Sequence, residues 1–80
     1  MAQKSIHTDA YGIFRGQLVA ARHKAGLTQQ QLADKLKRPQ SFVAKYEGGE
    51  RRVDLIELLE IAAILGLDVN KLTTILRRSL

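Results

Sequence analysis

Apolar residues recur at three- and four-residue steps in five successive stretches of the chain, a spacing that predicts five helices. In the first, Tyr11, Phe14, Leu18 and Ala21 or Ala25 make one stripe, so a helix is expected from about Asp9 to Lys24 with Asp9 as N-cap. Residues 1–8 are polar and lack a period; they are expected to be a flexible tail, leaving 9–80 as the folded domain. Gly12 and Gly16 weaken the first helix by up to about 1 kcal/mol each relative to Ala. Fraying of its first turns, or a close neighbour at the glycines, is therefore expected. Gly26 closes it, and Leu27 drops into the core.

The next two patterns are short. Thr28 stands three residues before Gln31, the spacing of a capping box, and Leu32, Ala33 and Leu36 then share one face. Pro39 stops that helix from continuing smoothly and can begin the next one, because its missing N–H matters little there. From Gln40, Val43 and Tyr46 lie on one side and Gln40, Ser41, Ala44 and Lys45 on the other, until Gly48 and Gly49 end the run. Helices of about two turns are unstable alone in water, so both require a shared core. Asp54 and Glu57 form a second capping box. The helix after it, with Leu55, Ile56, Leu58, Leu59, Ile61, Ala62, Ala63, Ile64 and Leu65, is apolar nearly all round and is expected to be central. Gly66 closes it. Asp68 caps a last helix to about Arg78, with Leu72, Ile75 and Leu76 facing inward and Arg77 and Arg78 complementing the dipole. The predicted core is Phe14, Leu18, Leu27, Leu32, Ala33, Leu36, Val43, Tyr46, Leu58, Ile61, Ala62, Leu65, Leu67, Leu72 and Ile75.

Eighty residues make one domain with a small core. A net charge of +5 and a pI near 10.0 favour a polyanionic partner. The chain has no cysteine, so neither disulfides nor thiolate metal sites can staple it. No apolar run approaches about 20 residues and no secretory leader is evident, so a soluble, cytoplasmic protein is expected. Catalysis is not expected. His7 and His23 are far apart, there is no nucleophile motif or phosphate-binding glycine loop, and Glu57 and Glu60 read as a solvated helix face. No cofactor or metal site is suggested.

One segment carries a more specific signal. Arg22, Gly26-Leu27-Thr28-Gln29, Leu32-Ala33 and Tyr46-Glu47-Gly48-Gly49 stand at the offsets of the Cro and phage-repressor pattern. From about Leu18 to Leu76 the chain resembles an XRE-type helix-turn-helix protein. The resemblance implies an all-α, compact five-helix lambda-repressor-like domain in which the second and third helices form the helix-turn-helix. It implies a sequence-specific transcriptional regulator, a repressor, binding double-stranded DNA as a homodimer on a palindromic operator. An antitoxin or restriction-modification controller that also binds a protein partner is the alternative. Two positions depart from the pattern: Lys37 replaces the usual turn glycine, and Pro39 a Ser or Thr.

In this class of docking, the N-terminal residues of the recognition helix meet base edges in the major groove. That selects Gln40 and Ser41, with Lys45 a turn further along. The resemblance adds Pro39, which offers only apolar contact. Phe42 is read as packing. Phosphate contacts are expected from Thr28 and Gln29 at a helix N-terminus, from Arg51 and Arg52 in the following loop, from the Gly48 N–H and from Arg38 in the turn. The resemblance makes Arg22 and Glu47 a structural ion pair. Leu76 and Leu80, with the exposed side of the last two helices, are the expected dimer interface.

Overall fold

Side-chain chemistry sets the helix boundaries in this computed structural model, which describes the backbone of residues 2–80 and the side chains of residues 9–80. The helices are α1 (Ala2–Lys24), α2 (Gln29–Leu36), α3 (Gln40–Glu47), α4 (Leu55–Leu65) and α5 (Val69–Arg77), with no strand among the described residues. Both expected capping boxes close. Thr28 Oγ1 accepts from the Gln31 N–H at 3.0 Å, and Gln31 Oε1 accepts from the Thr28 N–H at 2.9 Å. Asp54 and Glu57 make the same exchange at 2.8 and 3.0 Å. Asp68 caps α5 through the Lys71 N–H at 3.1 Å.

Two helices differ from expectation. α1 is continuous from Ala2, so residues 2–8, read from the sequence as a tail, have helical backbone. Asp9 then lies inside α1 and does not cap it. The segment contains no Gly or Pro, so nothing in its backbone chemistry stops the helix. Among the described residues nothing approaches within 4 Å of a Cβ built on Gly12 or Gly16, so neither glycine marks a close helix approach there. α4 departs in the other direction. Only Glu57, Leu58, Ile61 and Ala62 are buried, while Leu55, Ile56 and Leu59 are 65%, 64% and 47% exposed. α4 packs on one side and leaves an apolar face open.

The core joins all five helices. Leu18, Leu32, Val43, Tyr46, Ile61 and Leu72 are fully buried, one or two from each helix, with Phe14, Ala33, Phe42 and Leu58 around them. Burying each large apolar side chain contributes about 1.5–3 kcal/mol. That shared burial is what holds α2 and α3, each of eight residues, in helical form. Leu27, Leu36, Leu65, Leu67 and Ile75 are half-buried at its margin.

Candidate nucleic-acid interface

The turn between α2 and α3 rests on Lys37. Its φ of 59° and ψ of 43° place it in the left-handed region, so the geometry that usually takes glycine is kept without one. Its N–H and that of Arg38 return to the Asp34 and Ala33 carbonyls at 3.1 and 3.0 Å. Pro39 follows in extended conformation, with φ −62° and ψ 150°, at the N-cap of α3. It supplies no side-chain cap.

α3 is two-sided. Phe42, Val43 and Tyr46 are buried, and Gln40, Ser41 and Lys45 are exposed on the opposite side. Its C-terminal end is clasped by the scaffold. Arg22, from α1, gives Nε to Glu47 Oε2 at 2.8 Å and Nη2 to Oε1 at 3.0 Å, and its Nη1 reaches the Leu27 carbonyl at 2.9 Å. The Arg22 and Glu47 side chains are only 10% and 6% exposed. Hydrogen bonding to Glu47 raises the Arg22 pKa against the opposing effect of burial, so the guanidinium keeps its charge. Arg15 gives Nη1 to the Glu47 carbonyl at 3.0 Å, a cation at the negative end of the helix. Its guanidinium lies 3.1 Å from where a Cβ on Gly49 would stand; with φ of 84°, Gly49 admits no side chain easily.

The front of α3 is tied to the same carboxylate. Gln29 Nε2 donates to Glu47 Oε1 at 2.9 Å, and Gln40 Nε2 donates to Gln29 Oε1 at 2.8 Å. The direction of this chain follows from its end. The Glu47 carboxylate oxygen accepts, so Gln29 turns its NH₂ to Glu47 and its oxygen to Gln40, which must then donate. One N–H and the carbonyl oxygen of Gln40 remain for a ligand, the complement of adenine N7 and N6.

The expected phosphate ligands separate into two groups. Arg52 is exposed, with its guanidinium carbon 4.8 Å from the Tyr11 ring centroid, and the Tyr11 hydroxyl accepts from the Val53 N–H at 3.1 Å. At the start of α2 the N–H groups of Gln29 and Gln30 have no intrahelical partner, the usual condition of a helix N-terminus. Other expected ligands are occupied within the chain. The Gly48 N–H goes to the Ala44 carbonyl at 2.9 Å, and the Thr28 N–H to Gln31. The Gln29 side chain is bonded at both its polar atoms, which leaves its second Nε2 N–H and its backbone N–H. Arg51 makes two 2.8 Å bonds to the Glu57 carboxylate, and Arg38 makes one at 3.2 Å. Glu57 is buried, not part of a solvated face as expected, and bonding to Arg51 holds its carboxyl down to about 2. The sequence reading missed Arg15 and this cluster. Its only signal was the capping box, which placed Glu57 at the third position of α4.

A short helix carried on a four-helix support, polar outside and pinned at both ends, is the architecture of a helix-turn-helix DNA-binding domain. The family model for the helix-turn-helix domain matches residues 13–74. The solved structure of an XRE-family like protein from Pseudomonas syringae pv. tomato str. DC3000 is similar, with 43% identity and a TM-score of 0.88 over 96% of this chain and 94% of that one. No match was found among curated proteins. The chain belongs to the XRE-type helix-turn-helix family of DNA-binding proteins.

Proposed function

We propose that this protein is a sequence-specific transcriptional regulator, a repressor that binds a palindromic operator as a homodimer. α3 enters the major groove, and Gln40, Ser41 and Lys45 meet base edges. The supporting observation is the two-sidedness of α3: these three side chains are exposed while Phe42, Val43 and Tyr46 are buried. Gln40, held by Gln29, presents one donor and one acceptor to adenine. Lys45 donates to guanine O6 or N7, and Pro39 offers apolar contact. Arg52 and the backbone N–H groups at the start of α2 take phosphates and set register.

One such helix reads one half-site, so two copies related by a two-fold axis are the natural arrangement. The open face of α4, Leu55, Ile56 and Leu59, supports a dimer interface there, with Leu80, 72% exposed, as a further apolar contact. Leu76, half-buried, packs against the core.

The test is selection of bound duplexes from a random pool at 150 mM salt, followed by binding of Lys45→Ala. A two-fold symmetric consensus is expected. Lys45→Ala should lose about 1–3 kcal/mol on that consensus and relax the preference at one position. An equal loss on random duplex would make Lys45 a phosphate ligand, and a pool that yields no consensus would refute sequence-specific regulation.

A further inference from the structure

Two cations that flank the recognition helix are turned onto a carboxylate of their own chain. Arg38 stands before Pro39, and Arg51 follows the end of α3. Arg51 meets Glu57 as a fork on a fork, Nη1 to Oε1 and Nη2 to Oε2, both at 2.8 Å. Arg38 Nη1 reaches Oε2 at 3.2 Å, and the Asp54 N–H reaches Oε1 at 3.0 Å. Both guanidinium carbons also lie over the Phe42 ring, 4.5 and 4.7 Å from its centroid, which fixes them against α3. The Glu57 side chain is 7% exposed, whereas those of Arg38 and Arg51 are 34% and 40% exposed.

A carboxylate and a phosphate present the same thing to a guanidinium: two anionic oxygens that accept a pair of parallel N–H bonds. For Arg51 to reach DNA it must abandon a desolvated anion, a strongly unfavourable step. The phosphate it would gain is an exposed, salt-screened partner. We propose that Glu57 acts as an internal competitor for phosphate, keeping Arg38 and Arg51 off the DNA backbone and so raising the sequence discrimination of α3.

The reasoning rests on the DNA-binding reading above. Phosphate contacts strengthen binding to every sequence alike, while base contacts separate one sequence from another. Withdrawing two cations from the backbone lowers non-specific affinity and leaves Gln40, Ser41 and Lys45 untouched. Glu57 is in this sense a specificity-determining residue that touches no base. Arg52, which has no carboxylate partner among the described residues, remains the phosphate ligand of the loop.

The experiment measures how binding of the full chain to a non-specific duplex depends on salt, for wild type, Glu57→Gln, Arg51→Gln and the double variant. Circular dichroism verifies the helical fold of each. Glu57→Gln is expected to bind non-specific duplex more tightly at low salt, with a log–log salt slope steeper by about one to two units, roughly 0.9 per released arginine. The ratio of specific to non-specific affinity should fall. Arg51→Gln should leave the slope unchanged, and the double variant should lie about one unit below Glu57→Gln. Damage to the scaffold alone would weaken binding, the opposite direction. A slope in Glu57→Gln that is unchanged or shallower overturns the proposal. If that variant does not fold, Arg51→Gln decides: a loss of about one unit means that Arg51 already touches phosphate. A wild type that binds no duplex would instead defeat the DNA-binding reading on which this rests.

Discussion

Removing the Glu47 carboxylate, as Glu47→Ala, tests the joint that fixes the recognition helix. The carboxylate accepts from Arg22 at 2.8 and 3.0 Å and from Gln29 at 2.9 Å, with its side chain 6% exposed. Without it the Arg22 guanidinium, 10% exposed, keeps only its bond to the Leu27 carbonyl at 2.9 Å and becomes a desolvated, unpaired cation. Breaking a buried pair from one side costs about 3–5 kcal/mol. A domain of this length has roughly 4–12 kcal/mol in total, at about 0.05–0.15 kcal/mol per residue. The melting temperature should fall by about 12–40 °C, at about 4–8 °C per kcal/mol. The double variant Arg22→Met with Glu47→Leu removes both charges and should recover at least about half of that loss. Urea and thermal unfolding followed at 222 nm measure both. A loss below about 1 kcal/mol for Glu47→Ala, the range of an exposed pair, would refute the desolvation argument. So would a wild-type advantage that disappears in 1 M salt.

Three other outcomes follow from particular side chains. The Tyr46 hydroxyl is buried without a partner among the described residues, and burial drives its pKa up, so Tyr46→Phe should stabilise the fold by about 1 kcal/mol in urea unfolding; a loss of that size would reveal a hidden partner. Lys37→Gly should relieve the left-handed strain at φ 59° and add about 0.5–1 kcal/mol by the same method, where an unchanged midpoint would mean no strain is stored there. Because the Glu57 pKa is lowered to about 2 in the fold, its contribution to stability is complete above the unfolded value near 4.5 and is lost as pH falls toward 2. Glu57→Gln should therefore flatten the acid limb of stability against pH between those values, and an unaltered limb would contradict the assignment.

What could be read from the chain and what could not divide along physical lines. α2, α4 and α5 were legible because their starts are local chemistry: Thr28 with Gln31, Asp54 with Glu57, and Asp68 each act within one helical turn, while α3 was marked by Pro39. The start of α1 was not, since Asp9 is an adequate cap with nothing before it that forbids a helix. Apolar periodicity identified α4 but could not say which of its apolar positions has a neighbour; Leu55, Ile56 and Leu59 have little cover. The two-sidedness of α3 was legible at Gln40, Ser41 and Lys45. The pairing of Arg38 and Arg51 with Glu57 was not, because it joins residues 19 and 6 positions apart whose charges alone look like solvated surface. A family pattern located Arg22 and Glu47, whereas Arg15 on the end of α3 carries no local signature.

The most direct measurement is the dissociation constant for the selected duplex against a shuffled duplex of equal length and composition, both at 150 mM salt. Recognition by the outer side of α3 predicts a ratio of at least about 10³ that Gln40→Ala and Lys45→Ala each reduce. Equal affinity for the two duplexes, or a ratio that neither substitution changes, would contradict it.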